Sequence, residues 1–231
     1  MYRGSRGENA HATSFGLPAF GAHAGPDAVV NALFQPPIVL ARRLATLDRR
    51  SRGRLEAGLG QGWLPEEFEA VGVPVSRRGS GSAEHLAAMR ACWGPDPVSH
   101  EGDRYLIPLS SVGPKPFHGR LPTLIGAPAK PAIERAAELG DGFISGVRDW
   151  DTSMAEVALY RASGGKGPVL LCVMPSITDT PDLASRFAAP ALRELERASA
   201  VDVDGVHFGL NLLGVTPERQ MEAMTALTAA L

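Results

Sequence analysis

The stretch Arg54-Leu-Glu-Ala-Gly-Leu-Gly-Gln-Gly-Trp-Leu-Pro-Glu-Glu-Phe68 sets glycines at Gly58, Gly60 and Gly62 and follows them at once with Trp63. Leu55 to Leu59 reads as a short strand that feeds the glycines, and Glu66 and Glu67 fall in a helix behind them. A dinucleotide-binding turn would need G-x-G-x-x-G with an acid about 20 residues on. Here Trp63 stands where the third glycine belongs, and Gly81-Ser-Ala-Glu84 opens a helix instead of closing a second strand. A phosphate loop ending in Gly-Lys-Ser/Thr is missing as well. Two readings stay open. One is a strand end that packs closely against a neighbour. The other is a floor for a planar ring, because glycine lets backbone approach a ring with no side chain between.

Outward from this stretch the chain alternates helix and strand. Pro36-Pro37 starts a helix carrying Ile38, Leu40, Ala41, Leu44 and Leu47 at helical spacing, and Ser51-Arg-Gly53 stops it. Ser82 is placed to cap a helix through Trp93, with Glu84 in its acidic first turn. The Gly- and Pro-rich run from Gly94 to Arg120 predicts a small hairpin built on Val98 and on Tyr105 to Ile107. Further strands are expected at Leu121–Ile125, Asp141–Ile144, Val169–Met174 and Gly205–Leu210. Further helices are expected at Pro131–Leu139, Thr152–Ala162, Leu192–Ala200 and Pro217–Leu231. Apolar strands separated by helices pair in parallel with both faces covered. That leaves a doubly wound sheet or a (β/α)₈ barrel, with functional groups at the C-terminal strand ends.

Composition excludes several classes. The chain has 231 residues, 44% of them hydrophobic and 21% charged, which suits one sizeable core. A net charge of −2 gives no general surface for nucleic acid. No apolar run approaches the roughly 20 residues of a membrane span. Cys92 and Cys172 each sit in an apolar segment and read as reduced core thiols, so the default compartment is the cytoplasm. The histidines show no metal-ligand spacing. Residues 1–13 read as a disordered terminus and 14–231 as one domain with an inserted segment at 75–121.

The segments Pro37 to Trp63, Leu64 to Pro74, Gly113-Pro-Lys-Pro116 and Leu124 to Ile144 together resemble the luciferase-like flavin and deazaflavin oxidoreductases. Residues 32–230 are placed in that family by this resemblance. It implies a (β/α)₈ barrel and a cofactor that is coenzyme F420, with FMN as the alternative. It implies hydride transfer with the first and monooxygenation with the second, on a small-molecule substrate. Ser14 to Gly21 looks like the first barrel strand, Pro26 to Val30 like the start of the next helix, and Asn31 to Pro37 like the end of the third strand. A piece of the N-terminal barrel is therefore expected to be missing near residues 30–31. A βαβ unit takes roughly 30 residues or more, yet only 20 separate Leu17 from Pro37. At most seven strands are expected in one sheet, with an open edge that favours self-association, so a homodimer is possible.

The resemblance puts the turn at Gly58, Gly60, Gly62 and Trp63 under the cofactor ring. It puts the cofactor phosphate at the turn Gly126, Ala127, Ala129, where a helix start offers N–H groups. Ala127 replaces a second glycine and is tolerated only if its φ stays negative. Arg77-Arg78 could meet an anionic tail, and His207 lies within an expected strand. No catalytic residue is assigned. The rival readings are a non-catalytic remnant of the family and a doubly wound nucleotide-binding domain.

Overall fold

The computed structural model describes residues 29–147, 149–173, 183–208 and 216–230. The expected terminus at 1–13 and the expected first strand near 15–18 lie outside the described residues. The chain order is β1 (Val30–Asn31), α1 (Pro37–Ser51), β2 (Ala57–Gly60), α2 (Pro65–Ala70) and α3 (Ser80–Trp93). It continues with β3 (Val98–Glu101), β4 (Leu106–Ser110), β5 (Thr123–Gly126), α4 (Lys130–Leu139) and β6 (Gly142–Val147). It ends with α5 (Trp150–Ala162), β7 (Val169–Val173), α6 (Leu183–Ser199), β8 (Gly205–Phe208) and α7 (Pro217–Ala230).

Six strands form one sheet in the order β1-β2-β5-β6-β7-β8, all parallel. The sheet does not close into a barrel among the described residues. The antiparallel hairpin β3–β4 stands apart from it, as the Gly- and Pro-rich run predicted. One expectation is corrected. Val30 and Asn31 pair with Leu59 and Gly60, so they belong to one strand, and Val30 does not belong to a helix. β-Branched valines favour the extended chain, and the parallel partner decides the matter.

Register makes the two faces unequal. Asn31, Gly58, Gly60, Leu124, Gly126, Ile144, Leu170 and Cys172 share the inner face by strand pairing. Only a thin cluster fills that face: Leu124, Ile144 and Cys172, with Val29 and Leu170 against them. The outer face carries the bulk. Phe143, Leu171, Val169 and Val206 pack there on α4, α5 and α6 through Ile133, Tyr160 and Leu195. Ala57 and Leu59 pack on α1 and α3 through Leu40, Leu44, Met89 and Trp93. The Trp93 indole donates to the Ala41 carbonyl at 3.0 Å and ties α3 to α1.

At the N-terminal end of the sheet two Asp-Gly pairs do the same job. Asp141 donates its N–H to the Thr123 carbonyl at 2.8 Å, and its Oδ2 accepts the Thr123 N–H at 3.0 Å. Asp204 donates to the Val169 carbonyl at 2.8 Å and accepts the Val169 N–H at 2.8 Å. Each aspartate thus closes a two-bond ring on the first residue of the neighbouring strand. The following Gly142 has no room for a side chain: a Cβ there would lie 2.6 Å from the Pro168 carbonyl. Asp141 also accepts from Arg90 at 3.1 Å and Arg120 at 2.9 Å.

Burial alone would raise the Asp141 carboxyl. The N–H and hydroxyl of Thr123 and the cations Arg90 and Arg120 outweigh burial and hold it below the usual carboxylate range. A carboxylate depressed in the fold stabilises above its unfolded pKa and loses that contribution as pH falls through the folded value. Asp141→Asn is predicted to destabilise by about 2 kcal/mol. Chemical unfolding at neutral pH checks this, and the gap from the parent should shrink as the medium is acidified below the ordinary aspartate range.

Candidate functional site

Two neighbouring strands of the sheet, β2 and β5, end in glycine at their C-termini. Gly60 ends β2 and Gly126 ends β5 one position beyond the pair Leu59–Ile125, so the two glycines stand level. The side chain of Val29 lies over both. A Cβ on Gly126 would come 2.9 Å from Val29 Cγ1, and one on Gly60 would collide with Val29 Cγ2. Both glycines are therefore needed for packing, whatever else they do.

The turn after Gly60 is built by a different constraint. Gly62 has φ +74°, a conformation side chains rarely adopt, and a Cβ there would also strike the Asn31 amide and come 2.9 Å from Phe68 Cε2. Arg78 donates to the Gly62 carbonyl and lies 5.7 Å over the Phe68 ring. Phe34 meets Phe68 edge-on at 4.9 Å. This fixed turn leaves Trp63 59% exposed beside it. Gly58 sits one layer deeper on the inner face, opposite Leu124.

The second turn is less generous than sequence reading suggests. Ala127 has its expected negative φ, being absent from the left-handed region, and its methyl is buried with Ile133, Ala136 and Phe143 on the outer side. Ala129 is the residue before α4, with Pro131 in the first turn. Proline brings no N–H. The N–H groups of Ala132 and Ile133 both go to the Ala129 carbonyl at 2.8 and 3.0 Å. An anion at this helix start would find few free donors.

Asn31 is the residue that sequence reading passed over. It is partly buried on the inner face beside Gly60 and Gly62, and its Oδ1 is buried without a hydrogen-bond partner. A buried acceptor left unmade costs about 1–3 kcal/mol, which marks it as a place for a donor. No sequence signal singled it out, because an asparagine between Val30 and Ala32 reads as strand.

Other polar residues of these segments resolve into structure. Glu66 and Glu67 lie in the first turn of α2, where the helix dipole favours them. Lys115 donates to Asp96 at 2.8 Å and to the Cys92 carbonyl at 3.0 Å, pinning the hairpin to α3. Arg77 donates to the Tyr105 hydroxyl at 2.7 Å. His207 is on β8 opposite Cys172, and its side chain lies outside the described residues. Among the described residues no cluster of His, Cys, Asp or Glu could hold a metal. Nor is any described helix long and apolar enough to cross a membrane.

Gly126→Ala is predicted to destabilise by about 1–3 kcal/mol through contact with Val29. Val29→Ala in the same chain should recover part of that loss. Thermal or denaturant unfolding of the two single variants and the pair checks the coupling; additive losses would place Val29 elsewhere.

The chain is similar to several known proteins. An uncharacterized protein of Mycobacterium tuberculosis (strain ATCC 25618 / H37Rv) is 33% identical over 162 residues, covering 69% of this chain and 57% of its own. An FMNH(2)-dependent dimethylsulfone monooxygenase of Pseudomonas fluorescens (strain Pf0-1) is 30% identical over 129 residues, 54% of this chain and 35% of that protein. The chain thus spans little more than half the length of the first of these relatives and about a third of the second. A solved F420-dependent secondary alcohol dehydrogenase, in complex with an F420-acetone adduct, superposes with a TM-score of 0.62 at 15% identity, over 78% of this chain and 72% of that one. It shares the fold, which is the (β/α)₈ type with the described sheet left open. The profile of the luciferase-like monooxygenases matches residues 27–228, and the chain belongs to that family.

Proposed function

We propose that this chain is a luciferase-like oxidoreductase that binds a cofactor and acts on a small molecule. The cofactor is coenzyme F420, with FMN as the alternative. The observation that carries the reading is the level pair Gly60 and Gly126 beside a buried, unpartnered Asn31 Oδ1. A flat face with one orphan acceptor suits a planar ring that carries an N–H donor. Gly58 and Gly60 add no side chain of their own to the β2 side of that face, Val29 lies over Gly60 and Gly126 as an apolar contact, and Trp63 stands at its rim. The relatives' own descriptions name both FMNH(2) and F420, which supports the cofactor class.

The bound group would supply two-electron chemistry: hydride transfer from a deazaflavin or oxygen activation from a flavin. The chain's own residues do the rest. Asn31 accepts from the ring edge and fixes its rotation. Gly62, held at positive φ and by Arg78, fixes the height of the turn. Trp63 shields one side from water. Neither a proton donor nor a base is assigned among these residues, and activity well below that of full-length relatives is expected. Assembly as a homodimer is part of the same reading.

Trp63→Ala tests it cleanly, because an exposed side chain contributes little to the fold. Unfolding should move by no more than about 0.5 kcal/mol, while binding of F420 or FMN, read by fluorescence titration, should weaken about tenfold. Equal affinity in the variant would remove Trp63 from the site. Failure of the parent to bind either cofactor would favour the non-catalytic reading.

A further inference from the structure

The hairpin β3–β4 stands outside the main sheet, yet its connecting loop is linked to both walls of the shelf. We propose that Tyr105, in that loop, is a positioning residue for the cofactor site: it holds the Gly62 turn through Arg77 and the Asn31 segment through His85. Its purpose rests on the cofactor reading, whereas the link itself belongs to the free chain.

Tyr105 is first fixed on α3. Its N–H and that of Arg104 both donate to Glu84 Oε1, at 2.8 and 2.7 Å, and its carbonyl accepts the Gly102 N–H at 3.1 Å. The half-buried phenol then accepts from Arg77 at 2.7 Å, and the Arg77 guanidinium lies 5.1 Å from its ring centre. A bond from a charged donor is roughly twice as strong as a neutral one. The stem of Arg77 occupies room that Gly81 leaves on the first turn of α3; a Cβ there would stand 3.3 Å from Arg77 Nε.

The next two residues carry the constraint to the glycine turn. Arg78 donates to the Gly62 carbonyl, and the Gly79 N–H donates to Gln61 Oε1 at 2.8 Å. Gly79 has φ +82°, and its carbonyl accepts from the Ser82 hydroxyl at 2.6 Å. Ser82 thus serves this strip of chain and does not cap α3 as its sequence position suggested. Residues 77–79 are bonded to the hairpin on one side and to the turn before Trp63 on the other.

The second arm runs through His85. Its ring meets Tyr105 edge-on at 5.4 Å, and its Nε2 lies 2.8 Å from the Gln35 carbonyl. A carbonyl only accepts, so Nε2 carries the proton. Gln35 closes the short turn that follows Asn31, its N–H donating to the Ala32 carbonyl at 3.4 Å. The two arms therefore end at Gly62 and beside Asn31, on the two sides of the same shelf.

Tyr105→Phe removes the hydroxyl that Arg77 holds and keeps the ring on His85. The whole chain labelled with 5-fluorotryptophan gives three fluorine resonances, from Trp63, Trp93 and Trp150, and Trp63→Phe identifies the first. Tyr105→Phe should shift or broaden the Trp63 resonance and leave that of Trp93, buried between α3 and α1, in place. Arg77→Gln should do the same, and the double variant should add nothing, because both changes break one link. If Tyr105→Phe fails to fold by circular dichroism, Arg77→Gln carries the measurement alone. Either variant should bind F420 or FMN about tenfold more weakly by fluorescence titration, since the turn under the ring is misplaced. A Trp63 resonance that stays put, one that moves together with that of Trp93, or additive shifts in the double variant overturn the link. A shifted Trp63 resonance with unchanged cofactor affinity overturns the positioning role. A parent chain that binds neither cofactor counts against the cofactor reading alone, because the fluorine result is read on the free chain.

Discussion

The ring that Asp141 closes on Thr123 is the constraint from which the rest of the sheet follows. Two backbone-level bonds and two arginines hold the first residue of β5 against the start of β6. With that end fixed, Leu124 pairs with Gly142 and Gly126 with Ile144. A slip of one residue would turn every side chain to the other face. Ile125 would then point into the hollow, and Gly126 would leave Val29 for the helix layer. Asp204 repeats the device between β7 and β8. Stability is therefore spent at the N-terminal end of the strands, and it aligns the small residues at the other end. This division between a stability face and a functional face is general to parallel barrels.

The same economy explains the two unequal faces. Large apolar residues lie outward against the helices, and the inner face is thin, ending in Gly60 and Gly126 under Val29. A glycine shelf is unfavourable for a strand unless something packs on it. Val29 occupies part of that role, and a planar cofactor would complete it. Among the described residues, Asn31 is the one inner-face polar group whose buried oxygen is unpaired there.

Much of this was legible before the fold. The alternation of helix and strand, the hairpin, the glycine turn and the family resemblance came from local patterns that tertiary contacts did not override. The long reach of α6 to Leu183, against the expected start at Leu192, was missed because proline at 190 argues for a break there. Other features depend on partners distant in sequence. Glu84 reads as a helix-dipole acid but serves N–H groups 20 residues away. Pro131 reads as a good helix start but removes a donor from the expected phosphate turn. Asn31 carries no motif; only its buried, unpartnered oxygen picks it out in three dimensions. The Asp-Gly pairs were visible, yet their clamp geometry needs the neighbouring strand to be seen.

The central claim is that the C-terminal shelf of Asn31, Gly60 and Gly126, with the turn to Trp63, receives the cofactor ring. Hydrogen exchange with and without saturating F420 or FMN tests it most directly. The account predicts slowed exchange at amides of Asn31 and of Gly60 through Leu64, with the N-terminal ends of β5 and β7 unchanged. Protection confined to other segments, with these amides exchanging as fast as in the free chain, would contradict it.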